Sequence, residues 1–158
     1  MAKVLLSLHV LVAILAVGSI TVAASMFPRY ALRASGGEEP DTRAATIAAL
    51  LHRICRGYAV AGLAVPLFGL ATAVALGVLT DAWLLTSLVL TVAAAALLAL
   101  VILPGQQRLL ATTPDSSAQG DGPHAAAKRL TMLTGVFNVL WVIVVILMIV
   151  RPGSTTGA

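Results

Sequence analysis

Only one cysteine, Cys55, occurs in 158 residues, which excludes an intramolecular disulfide and any CxxC metal pair. Acidic residues are scarce too: Glu38, Glu39, Asp41, Asp81, Asp115 and Asp121 are the full set, and all six lie outside the long apolar runs. GxSxG, P-loop and HExxH patterns are absent, so the common soluble hydrolase and nucleotide-binding classes have no motif to stand on. No internal repeat is apparent, which weighs against an inverted-repeat transporter.

Apolar sequence is what remains in quantity. The chain is 59% hydrophobic and 10% charged, and four runs, residues 4–26, 58–79, 83–103 and 132–150, contain no Asp, Glu, Lys or Arg. A helix needs roughly 20 apolar residues to cross about 30 Å of hydrocarbon, and lipid cannot satisfy a free backbone N–H or C=O. The expected fold is therefore all-α: a polytopic membrane protein forming one antiparallel four-helix transmembrane domain. The first run is longer than a signal-peptide core and only Lys3 precedes it, so a retained helix is expected.

Charge sets the expected orientation. Arg29, Arg33, Arg43, Arg53, Arg56, Arg108, Lys128 and Arg129 fall on one side of the four spans; Lys3 and Arg151 fall on the other. Cytoplasmic loops retain Lys and Arg, so both termini should face outward. The net charge of +4 comes from residues beside membrane ends and carries no nucleic-acid-binding motif; membrane lipid is the expected contact. Arginine exceeds lysine and alanine is abundant, a bias typical of GC-rich coding sequence, which points to a bacterial plasma membrane.

Helices one and two should project into the cytoplasm. "FPRYALRAS" continues the first helix until Gly36 and Gly37 stop it. In "PDTRAATIAALLHRICRGY", Asp41 or Thr42 offers an N-cap before Ile47, Leu50, Leu51, Ile54 and Tyr58 at helical spacing. The resulting hairpin would bring Arg29 and Arg33 towards Arg53 and Arg56, a cluster able to hold an anionic ligand or simply to anchor the chain. Residues 111–127, rich in Ser, Gly, Pro and Asp, are expected to form a flexible cytoplasmic loop containing a solvated His124. On the other side, "LTDAW" leaves only a tight connection.

Packing signals are plentiful. Gly62, Gly69, Ala73 and Gly77 share a stripe suited to close helix approach. Pro66 removes the hydrogen bond to the Gly62 carbonyl, so a kink is expected. Tyr58 and Trp83 should anchor opposite interfaces, Trp141 needs a partner for its indole N–H, and Asn138 can meet Thr21 or Ser25. Cys55 is read as a buried or interfacial thiol.

One ionisable residue lies inside a span. His9 shares a face with Ala13, Ala16, Ile20, Ala23 and Phe27, a mainly small stripe that packs on a neighbour. At similar depth the topology places Thr72, Thr86, Ser87 and Met148. An intramembrane histidine is costly, and it is also a common metal and haem ligand. The plainer alternative is a neutral His9 bonded to Thr72, Thr86 or a water. Proton transport is disfavoured because no carboxylate lies in a span.

The stretch "LHVLVAILAVGSITVAASMFPRYALRA" resembles the first helix of a group of four-helix bacterial membrane proteins. That group includes an uncharacterised integral membrane family and, more distantly, the HemJ-type protoporphyrinogen oxidases. The matching positions are His9, Gly18, Pro28 and Arg29; "VIVVILMIVRPG" is similar to the final helix and its basic-Pro end, at Arg151 and Pro152. The resemblance implies haem binding by His9, with a CopD-like copper role as a further analogy. Two classes of function follow. One is a haem- or metal-binding membrane protein, an oxidoreductase if it is an enzyme, with His9 as axial ligand, Met148 as candidate second ligand, and Arg29, Arg53 or Arg56 as contacts to propionates or another anion. The other is a non-catalytic scaffold or accessory subunit that packs with itself or with a larger membrane complex, His9 being structural.

Overall fold

The computed structural model describes residues 2–35, 41–111 and 122–153, and these are helical apart from short connections. Helix α1 (Ala2–Ser35) is followed by α2 (Thr42–Ala61), α3 (Ala64–Leu76), α4 (Ala82–Leu97), a π-helical turn (Leu98–Ile102), α5 (Leu103–Ala111) and α6 (Pro123–Val150). Four stretches are long and apolar enough to cross a membrane: Lys3–Ser35, Thr42–Leu76, Ala82–Ala111 and Pro123–Val150. The architecture is the four-helix membrane bundle expected from composition.

Local chemistry explains where the helices start and stop. Asp41 caps α2, its carboxylate accepting from the Ala44 N–H at 3.0 Å. The second span is broken at Gly62 and Leu63, just before Pro66. Proline has no N–H to return to Gly62, and the Gly62 carbonyl accepts instead from the Val65 N–H at 3.0 Å. Gly77 ends α3 with φ +69°, the left-handed cap that glycine adopts without penalty. Gly77 therefore serves as a stop: nothing lies within 4 Å of where its Cβ would be, so it does not extend the packing stripe.

In the third span the helix widens ahead of Pro104. The Leu103 N–H reaches back to the Leu98 carbonyl, five residues earlier, which accommodates a proline in the next turn. The expected loop at 111–127 is shorter among the described residues, because α6 already begins at Pro123, a favoured first helical position. Gly36, Gly37 and residues 112–121 lie outside the described residues.

α1 is the central helix, packing against α2, α3 and α6, while α4 packs on α6. Its stripe of Ala16, Ile20, Ala23 and Phe27 is buried, together with His9. Lipid tails are as apolar as leucine, so van der Waals fit and interhelical hydrogen bonds hold such a bundle together. Two apolar clusters supply the fit. Ala23, Ala24, Phe27 and Ala31 meet Ala48, Leu51 and Cys55 at the arginine-rich end, and Ile20 meets Ala94, Leu98, Ile102 and Phe137 deeper in the bundle.

Candidate functional site

His9 sits two turns into α1, buried to 7% exposure, and faces α3. Its Nδ1 lies 2.9 Å from the Val65 carbonyl oxygen. A carbonyl only accepts, so Nδ1 carries the proton and donates, leaving Nε2 unprotonated in the neutral ring. The ring lies over Gly69, where a Cβ would fall 2.9 Å from Cε1 and 3.1 Å from Nδ1. Gly69 is thus the position that admits the imidazole between the helices.

The hydroxyls expected beside His9 are occupied elsewhere. Thr72 donates to the Phe68 carbonyl at 2.7 Å, Thr86 to that of Ala82 at 2.8 Å and Ser87 to that of Trp83 at 2.8 Å. Each satisfies itself one turn back on its own helix, the usual resort of a hydroxyl in an apolar span. Met148, half-buried on α6, has its carbonyl 3.3 Å from Arg151 Nε, whereas both contacts that fix His9 come from α3. Among the described residues, no three His, Cys, Asp or Glu side chains gather closely enough to hold a metal ion.

A second buried histidine went unread in the sequence. His52 lies on the inner face of α2, and its Nδ1 is 2.9 Å from Gln106 Oε1 on α5. Gln106 is 1% exposed, and its Nε2 donates to Cys55 Sγ at 3.7 Å. The residue types alone gave only a faint signal: His52 falls among Ala48, Leu51 and Cys55 at helical spacing, but Gln106 reaches it only across the fold. Elsewhere Thr21 donates to Asn138 Oδ1 at 3.1 Å, joining α1 to α6. Trp141 Nε1 and Thr134 Oγ1 are buried without a hydrogen-bond partner, although Trp141 makes an edge contact with Phe137, centroids 6.3 Å apart.

The arginines divide between two helix faces. Arg29 and Arg33 line a groove of about 400 Å³ with His124, Lys128 and Thr131 of α6. Arg53 and Arg56 are exposed on α2 and do not line it. The basic residues facing Arg29 and Arg33 across this groove come from the last helix rather than from α2. At the opposite end of the bundle, Trp83 donates its indole N–H to Asp81 at 3.0 Å, and the Arg151 guanidinium stacks 5.5 Å above its ring. That trio clamps the short α3–α4 connection to the end of α6.

Four helices of this length and apolar character define a polytopic all-α integral membrane protein. The chain belongs to the family described as predicted integral membrane protein (DUF2269), whose model matches residues 3–152. No curated protein and no solved structure matches it.

Proposed function

We propose that this chain is a non-catalytic scaffold or accessory subunit of a membrane assembly, with His9 as a structural link between helices. The observation that carries this reading is that His9 and the polar groups expected at its depth are taken up by bonds between or within helices, the unpartnered Thr134 and Trp141 lying on α6 apart from them. His9 is bonded to Val65, Thr21 to Asn138, and the intramembrane hydroxyls Thr72, Thr86 and Ser87 to their own helices. A catalytic or transport site leaves such groups aimed into a shared space. In a bacterial plasma membrane, which the arginine- and alanine-rich composition favours, the partner would be a second copy or a larger membrane protein.

One observation supports a second reading, haem or metal binding by His9. Donation from Nδ1 to a backbone carbonyl is the arrangement that orients a metal-bound imidazole and leaves Nε2 as the ligating atom. The donor set is otherwise poor: Gly69 lies under the ring, and among the described residues no group of three His, Cys, Asp or Glu side chains is placed to hold a metal ion. An absorbance spectrum of the purified protein, oxidised and dithionite-reduced, after expression with excess haem decides between the readings. The scaffold reading expects no Soret band. A band present in the wild type and lost in His9→Ala would overturn it and make His9 a haem ligand.

A further inference from the structure

We infer that the α1–α6 groove at the arginine-rich end binds the phosphate of an anionic phospholipid, with the acyl chain running along the adjoining helix faces. This is independent of the role of His9, which lies near the other end of α1.

The groove is built from two helices, and among the described residues its only formal charges are positive. Arg29 and Arg33 come from α1 and Lys128 and His124 from α6, and Ser25 and Thr131 also line it. Among the described residues no carboxylate lines it, and neither Arg29 nor Lys128 has an ion-pair partner. The positive end of the α6 dipole also falls here, since His124 is in the first turn of a 28-residue helix. Three cations, the Ser25 hydroxyl and a helix terminus border one open space, which is the chemistry that recognises a phosphate; the Thr131 hydroxyl donates to the Ala127 carbonyl at 3.0 Å and offers the groove an oxygen lone pair rather than a proton.

Depth favours a lipid as the source of that phosphate. Arg29 is three residues beyond Met26, where the first apolar run ends, and Lys128 is four residues before Met132, where the last begins. At 1.5 Å per residue, both stand about 5 Å outside the hydrocarbon, the level of the headgroups. Towards the membrane centre the same faces become apolar and open. Gly18 follows Ser25 by two turns on α1, and Gly135 follows Thr131 by one turn on α6; neither would-be Cβ meets anything within 4 Å. Val22 and Val142, on the same faces, are 58% and 57% exposed. The Thr21–Asn138 hydrogen bond ties the two helices along this seam. A soluble anion has no use for such an apolar continuation; a lipid tail fills it.

The test uses the full chain in a mild nonionic detergent, with binding of phosphatidylglycerol, phosphatidylcholine and inorganic phosphate measured by native mass spectrometry and by thermal shift. Each phosphate-facing cation is worth about fivefold in affinity. Arg29→Gln with Lys128→Gln should therefore weaken phosphatidylglycerol binding by about tenfold or more. Arg53→Gln with Arg56→Gln removes the same charge from the same side and should leave binding unchanged within about twofold. Equal loss in both pairs would reduce the groove to a general surface potential and overturn the site. Phosphatidylcholine binding as tight as phosphatidylglycerol would overturn it as well, and inorganic phosphate displacing the lipid at comparable concentration would overturn the lipid as its source. Should the first double variant not fold, the wild type decides. Phosphatidylglycerol retention that falls steeply between about 50 and 500 mM salt supports the site, and salt-independent retention overturns it.

Discussion

At the scale of single residues, the close fit of His9 over Gly69 makes a pairwise prediction. Gly69→Ala places a methyl group 2.9 Å from the imidazole and should destabilise the bundle by about 1–3 kcal/mol, the usual result of overpacking. In a His9→Ala background the same substitution should cost little, because the obstructing ring is gone. Unfolding of the four proteins in a denaturing-detergent titration measures the coupling; additive losses would mean that the helices do not meet there. Gln106 supports a similar test. Gln106→Leu strands the buried His52 Nδ1–H and should cost about 1–3 kcal/mol, whereas adding His52→Leu should restore part of that loss. Cys55, fully buried between Gln106 and α1, should react with maleimide only after unfolding.

At the scale of elements, helix ends and interruptions follow from chemistry with known magnitudes. Gly77 holds φ +69°, so Gly77→Ala forces an L-residue into the left-handed region and should cost about 1–2 kcal/mol in the same titration. Asp41→Ala removes the α2 cap and should cost about 1 kcal/mol. Pro66 and Pro104 are accommodated differently. Before Pro66 the helix breaks at a glycine, with the Gly62 carbonyl shifted to a three-residue bond. Before Pro104 it widens by one residue without breaking. That widening changes the angular position of every later side chain, and Gln106, two residues further on, reaches the α2 histidine.

At the scale of the whole molecule, eight basic residues gather at one end of the bundle and two at the other. The positive-inside pattern predicts that Thr80→Cys, on the exposed α3–α4 turn, is labelled by an impermeant maleimide applied to intact cells, while Ala45→Cys near the start of α2 is labelled only after permeabilisation. The buried Cys55 should contribute little background. The reverse pattern would invert the topology and place the cationic groove on the outer face.

Run length and charge made much of the molecule legible in advance. Four charge-free apolar runs leave helices as the only structure that lipid tolerates, and small residues on the His9 face marked the helix seam before any packing was seen. Asp41 as a cap and the interruption near Pro66 were readable because each depends on a few neighbouring residues. Partner choice depends on the fold. The Val65 carbonyl accepts the His9 hydrogen bond because the break at Gly62 and the absence of a side chain at Gly69 set α3 against α1 at that height, while the nearby hydroxyls find acceptors on their own helices. The His52–Gln106 bond spans 54 positions and depends on the widened turn before Pro104, so no local pattern announces it. Arg29 lines a groove with α6, and Arg53 and Arg56 do not, because the buried face of α2 is taken up by Ala44, Ala48, Leu51, His52 and Cys55, which leaves those two arginines exposed. Sequence alone determined the class, the spans and the charge asymmetry, since these depend on composition and length; the tertiary structure decided which polar group meets which, because contact across a bundle depends on helix rotation and height, and small local irregularities control both.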